Sequence, residues 1–339
     1  MNKAATEYLN ILSVLSCLAV VQLHFNGVFW SHPGGNLWIT ANIIETLFYF
    51  AVPIFLMITG ITLIDYRERY STKDFLRRRF KRTVIPFLIW SLVAYFWVNR
   101  HAENLNLSLF HIAKDVLFYR SLYIYWFFIP LFTIYLSIPV LSLLREKAKC
   151  FSYMVLYFFI TVCVGDVLKE CHIEFIPAQL QLPICGGYLV YPLLGYILHN
   201  TRIGTMGRIA IYTAGILATA AHFYATAFVP TADGGINCLL KGYLKFPAVM
   251  QAAAVLVFVK YNATFILDTL RLRGICNFIK PTTLSLYLMH IYVYQYLCAH
   301  VIDRTSPIQY ASAGILTFLV LAVAVRVLQK IPGAKYIFP

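Results

Sequence analysis

Charge is scarce in this 339-residue chain. Asp, Glu, Lys and Arg together supply 12% of it, while 60% is hydrophobic and the mean hydropathy is +0.71. Such a balance excludes an ordinary soluble globular domain. The eight cysteines contain no C-x-x-C and no Cys/His spacing suited to a metal, which excludes zinc-finger and thioredoxin-like readings. Cys171 and Cys238 fall in expected external loops, where they are either free or paired. No internal repeat and no low-complexity tract is visible. The first apolar run is too long for a cleavable signal and lacks a small-residue cleavage site, so it is expected to remain as a span.

What the chain does have is apolar sequence in recurring runs along its whole length. Residues 1–339 therefore read as a single all-α integral-membrane domain, a polytopic helix bundle. Ten spans are expected, near residues 8–29, 39–64, 84–98, 123–144, 151–168, 183–199, 209–229, 242–260, 281–302 and 309–328. The net charge of +14 would suit nucleic acid, but its distribution argues for a membrane and against a nucleic-acid partner. With the N-terminus in the cytoplasm, 21 of the 28 Lys and Arg fall on the inner side, as the positive-inside rule requires. The exceptions are Arg100, Lys114, Arg120, Lys169, Lys241, Lys245 and Arg304. An even number of spans then leaves both termini cytoplasmic, and the cell membrane is the expected location.

The first span, YLNILSVLSCLAVVQLHFNGVFW, has no Asp, Glu, Lys or Arg yet carries His24. Wound at about 100° per residue, Asn10, Ser13, Cys17 and His24 share one stripe. Lipid cannot satisfy such groups, so the stripe is expected to face protein or water. His24 lies roughly 9 Å to the outer side of the span's midpoint. Glu45 lies at matched depth on the second span, and from depth alone it is paired with His24. A carboxylate there would orient the ring and hold its basicity near neutrality, as a general base needs. The alternatives are a His24 that only hydrogen-bonds within the bundle and a Glu45 paired elsewhere.

Residues 66–83 form a basic amphipathic segment expected on the cytoplasmic side. Ser71 and Asp74 make a capping box, which starts a helix near Thr72. Three-residue spacing puts Arg79 and Arg82 on one face and Arg78 and Lys81 on a neighbouring one, with Phe75, Leu76 and Phe80 as the apolar side. Guanidinium forks so spaced can hold adjacent phosphates. The same charges also suit topology or anionic lipid head groups. Placement favours the phosphate site, because the helix runs into the third span through Thr83 and Pro86.

Several stretches together carry a resemblance. YLNILSVLSCLAVVQLHF, VPIFLMITG, RRRFKRTVIP with its R-x-x-R, YWFFIPLFTIYLSIPVL and LSLYLMHIYV follow one another as in the acyltransferase 3 family. Those membrane proteins transfer acyl groups, commonly acetyl, to extracytoplasmic sugars and cell-envelope polymers. Family members often carry Asp and Arg in the first half of the opening helix, where this chain has Asn10 and Ser13. The resemblance implies an O-acyltransferase with acetyl-CoA as cytoplasmic donor, no metal, and a cell-surface polysaccharide or lipid-linked sugar as acceptor. His24 matches the family's presumed base. Arg78, Arg79, Lys81 and Arg82 would then hold the donor's phosphates while its pantetheine arm follows the stripe, about 21 Å from Asn10 to His24.

Further positions are open. Trp126 is either belt packing or a platform for a sugar ring. Tyr287 and His290 either line the donor tunnel or pack the bundle. Residues Leu105 to Tyr119 have the pattern of an interfacial lid. His199, His222 and Gln251 read as structural. The rival class is a proton-coupled transporter or flippase of envelope precursors, which also uses intramembrane His and Glu.

Overall fold

The computed structural model describes residues 6–31, 34–102, 105–118, 121–173, 187–232, 234–302 and 306–339, and among these there is no strand. The helices are α1 (Tyr8–Phe25), α2 (Gly35–Phe48), α3 (Ala51–Leu63), α4 (Thr72–Arg79), α5 (Ile85–Val98), α6 (Leu109–Leu117), α7 (Phe128–Leu141) and α8 (Ala148–Phe158). There follow α9 (Gly165–Glu170), α10 (Val190–Asn200), α11 (Thr205–Phe228), α12 (Phe246–Thr264), α13 (Arg273–Ile279), α14 (Thr283–His300) and α15 (Pro307–Leu328). Eight helical stretches among the described residues are long and apolar enough to cross a membrane. The other two expected spans coincide with α10, whose expected start at 183–186 lies outside the described residues, and with α14. α14 is less apolar because it carries Ser285, His290, Gln295 and His300. Lys3, Arg120 and Arg304 of the charge distribution, and Tyr119, also lie outside the described residues.

Prolines set the breaks. Pro53 has no N–H for the Tyr49 carbonyl and crowds it, so the second span divides into α2 and α3 around Tyr49 and Phe50. Buried Gln251 from α12 caps that break, donating from Nε2 to the Thr46 carbonyl at 2.8 Å. Pro86 likewise leaves the Arg82 carbonyl without its usual donor. Between α4 and α5 the chain takes one wide π turn, Phe80–Val84, in which the Ile85 N–H reaches back to Phe80. The serine half of the capping box is present: Ser71 Oγ accepts from the Asp74 N–H at 3.2 Å, its hydroxyl donates to the Asp74 carboxylate at 2.9 Å, and α4 begins at Thr72. The expected span at 242–260 starts later, at Phe246. Pro247 sits in the first turn, where no donor is needed, and Lys245 stays outside the helix.

α1 is the centre of the bundle, packed against α2, α3, α12, α14 and α15. Close approach elsewhere depends on small residues. A Cβ on Gly60 of α3 would lie 2.0 Å from the Pro192 carbonyl oxygen of α10, and one on Gly195 would lie 2.7 Å from Met57. At the basic end of the bundle, Glu7 and Asp268 pair with Arg273, Tyr8 Oη meets His199 Nδ1 at 2.7 Å and Tyr196 donates to Asp65 at 2.8 Å. At the opposite end, Asn26 Nδ2 donates to the Ala41 carbonyl at 2.8 Å and Lys245 pairs with Glu170 at 2.5 Å. The expected lid contains α6, which packs on α5, and none of its described residues lines the cavity around His24.

Candidate active site

His24 ends the polar stripe of α1, and the stripe does turn inward. Ser13 is buried and bonds the Leu9 carbonyl of its own helix at 2.7 Å. Cys17 Sγ donates to the Thr283 carbonyl at 3.5 Å, while Asn10 donates to Asn277 at 3.2 Å. His24 opens on a cavity of about 540 Å³ whose walls include Trp30, Glu45, Tyr49, Tyr123, Trp126 and Lys241. Its Nδ1 lies 3.0 Å from the Tyr123 hydroxyl. With Nδ1 engaged, Nε2 is the nitrogen left for chemistry.

His290 of α14 backs this ring, with centroids 5.0 Å apart. It is fully buried, donates from Nδ1 to the Leu286 carbonyl at 3.0 Å, and leaves Nε2 without a partner. It lines neither of the two cavities flanking the stripe; of the two readings open for it, the structure shows packing, behind His24.

Depth suggested the wrong partner for Glu45. The carboxylate reaches the His24 cavity, but among the described residues no hydrogen bond joins it to His24. Oε1 instead accepts from Lys241 Nζ at 2.6 Å, and Oε2 accepts from Asn26 at 3.3 Å. Lys241 comes from the loop before α12 and is buried with it. The ammonium lies 4.1 Å from the Tyr49 ring centroid, 4.9 Å from that of Trp30 and 5.1 Å from that of Phe29. Ring faces and a carboxylate thus enclose the lysine on several sides.

Tyr243, from the same loop, stacks on Tyr49 at 4.5 Å and on Trp126 at 5.4 Å. One face of Trp126 is therefore covered, although its edge still lines the cavity. Burial, with the Glu45 carboxylate adding to it, pushes the Tyr243 phenol well above its ordinary range, so it stays neutral.

A second cavity, about 200 Å³, lies further along the stripe towards the basic end, lined by Ser13, Thr59, Thr83, Tyr135, Thr283 and Tyr287 among others. Tyr287 also lines the His24 cavity and is the partition between the two. Its hydroxyl donates to the Ile124 carbonyl. At the basic mouth, Arg79 lies over the Tyr135 ring at 5.8 Å, and its buried Nε has no partner. Arg78 lies over Tyr70 at 4.7 Å; Arg78, Lys81 and Arg82 are exposed. The π turn winds more widely than an α-helix, and Arg82 does not share the half-buried setting of Arg79. Cys171 and Cys238 are free and exposed, so the pairing left open does not form. Among the described residues no group of three His, Cys, Asp or Glu is placed to hold a metal ion.

Sequence reasoning missed Lys241, Tyr123, Asn26 and Tyr243. A signal existed for the first: Lys241 is one of the few cations on the wrong side of the charge bias, which marks a lysine held for something other than topology.

An all-helical, multi-pass bundle enclosing a polar cavity with an intramembrane histidine defines an integral-membrane protein whose site lies among its spans. The sequence profile described as an acyltransferase domain matches residues 6–326, and the chain belongs to that family, acyltransferase 3. It is a membrane acyltransferase, of a family that acts on sugars. No curated protein and no solved structure matches the chain.

Proposed function

We propose that this protein moves an acyl group, acetyl by the family's habit, from cytoplasmic acetyl-CoA to a hydroxyl of an extracytoplasmic sugar or cell-envelope polysaccharide. The observation that carries the reading is the pair of cavities on one face of α1, separated by Tyr287, with Arg79 near one and His24 on the other. The donor's phosphates dock at the basic mouth, where the free Nε of Arg79 and the exposed Arg78, Lys81 and Arg82 supply donors. The pantetheine arm passes Ser13 and Thr283 and presents its thioester beyond Tyr287.

The acceptor hydroxyl enters the His24 cavity from the opposite side. His24 Nε2 takes its proton as the oxygen attacks the thioester carbonyl, a C–O bond forms and the C–S bond breaks. The imidazolium then returns the proton to the leaving sulfur, so the products are an ester and free CoA, with no proton left over. Tyr123 and His290 hold the ring, and the Glu45–Lys241 pair fixes the loop that walls the cavity. The aromatic wall of Trp30, Trp126 and Tyr49 suits the apolar face of a sugar.

The test is transfer of label from acetyl-CoA to envelope polysaccharide by purified protein in nanodiscs. His24→Ala should lose roughly 10²–10⁴-fold in rate while still binding acetyl-CoA. Arg79→Gln should raise KM for acetyl-CoA with kcat largely kept. Full transfer by His24→Ala would overturn the assignment of the base, and an unchanged KM in Arg79→Gln would remove the docking site.

A further inference from the structure

On the face of α1 turned away from the polar stripe lies an apolar groove of about 570 Å³, lined by Ile11, Val14 and Leu18 of α1 with Ile216 of α11 and Phe258 of α12 among others. That size falls within the range of about 300–1,000 Å³ usual for ligand sites. Ile216, Phe258 and Ile275 of its walls are exposed, so the groove opens sideways, where a membrane would supply hydrocarbon chains.

Its end towards the basic side is closed by charge. Arg208 lies one turn before Tyr212 on the same face of α11, and Tyr212 meets Phe258 edge-on at 6.0 Å. One turn beyond Phe258 on α12 is Tyr261, and the Arg208 guanidinium lies over that ring at 4.6 Å. The Tyr212–Phe258 pair lines the groove, and the Arg208–Tyr261 contact sits one turn further on.

Two neighbouring cations are already engaged. Arg273 is paired with Glu7 and Asp268, and Lys260 donates to the carbonyls of Leu198, His199 and Thr201. Arg208 donates to Thr205 Oγ1 at 3.0 Å, keeps a buried Nε without a partner, and among the described residues has no carboxylate beside it.

We infer that this groove binds one anionic phospholipid from the leaflet at the basic end, an acyl chain between α1, α11 and α12 and the phosphate on Arg208. A chain seated there packs against the helix that carries His24, without entering either cavity of the reaction path. The inference stands apart from acyl transfer and does not need it.

The experiment is native mass spectrometry of the delipidated full chain in detergent, titrated with phosphatidylglycerol, with phosphatidylcholine of the same chains, and with glycerol phosphate. The wild type should take up one phosphatidylglycerol with roughly fivefold preference over phosphatidylcholine, the factor expected of one well-placed cation. Arg208→Gln should abolish that preference and Arg208→Lys should retain most of it. Ile216→Trp, an exposed change that narrows the groove, should weaken both lipids alike. Equal uptake of the two lipids by the wild type, an undiminished preference in Arg208→Gln, or binding of glycerol phosphate as tight as that of the lipid would overturn the inference.

Discussion

Breaking the Glu45–Lys241 pair is the most direct perturbation of the cavity wall. Nζ and Oε1 are 2.6 Å apart and the side chains are 4% and 5% exposed, so neither charge has water to replace its partner. Removing one member of a buried pair costs about 3–5 kcal/mol, because the other charge is left bare. The two single changes should differ. Glu45→Gln leaves the ammonium among the rings of Tyr49, Trp30 and Phe29; desolvated cation–π contacts of about 2 kcal/mol soften the loss to roughly 2 kcal/mol.

Lys241→Met leaves the carboxylate with the Asn26 amide as its donor, and its loss should sit near the top of the range, about 4–5 kcal/mol. Glu45→Gln with Lys241→Met removes both charges and should return to within about 2 kcal/mol of the wild type, a coupling of about 4 kcal/mol or more. Equilibrium unfolding in mixed micelles of rising dodecyl sulfate fraction measures all three variants. Additive losses, or a Lys241→Met no worse than Glu45→Gln, would refute the reasoning. Activity separates roles as well: a stable double variant that keeps acyl transfer within about tenfold has lost a wall, whereas the loss of 10²–10⁴-fold typical of a missing acid or base would put Glu45 in the chemistry itself.

Two further outcomes follow from packing and exposure. Gly60→Ala, whose Cβ would meet the Pro192 carbonyl oxygen at 2.0 Å, should destabilise the same unfolding equilibrium by about 3 kcal/mol, while Gly274→Ala, with nothing within 4 Å, should be neutral; equal effects would remove the argument for close α3–α10 contact. Cys238 is an exposed free thiol on the His24 cavity, so a membrane-impermeant maleimide added to intact cells should label it in a Cys171→Ser background and block transfer. Labelling only after permeabilisation would reverse the proposed orientation.

Much of this architecture was legible along the chain, because the signals are local. A run of about twenty residues without Asp, Glu, Lys or Arg reads as a helix if it lies in lipid, since a helix satisfies its own backbone there and a barrel strand needs only about half that length. The inward turn of Ser13, Cys17 and His24 followed from angular spacing alone, and the cap at Ser71 from two residues three apart. The opening histidine and the R-x-x-R also carried the family correctly.

The site's partners were not legible in that way. Depth along a helix is a one-dimensional quantity, and many groups share it. Glu45 and His24 have similar depth, yet the cation that pairs with Glu45 arrives on a loop 196 residues further along the chain. The break at Tyr49 turns that aromatic ring into the wall beside it. A single π turn before Pro86 separates Arg79 from Arg82, which a regular helix would align.

The sequence by itself determined that this is a helical membrane protein, that α1 turns a polar stripe inward and that its histidine is the group to watch. Only the tertiary structure decided what stands around that histidine: Tyr123 and His290 against the ring, the Glu45–Lys241 pair in the wall, and Tyr287 between two cavities. Those contacts depend on how helices are rotated about their axes and where loops return, and both are set by packing between distant segments.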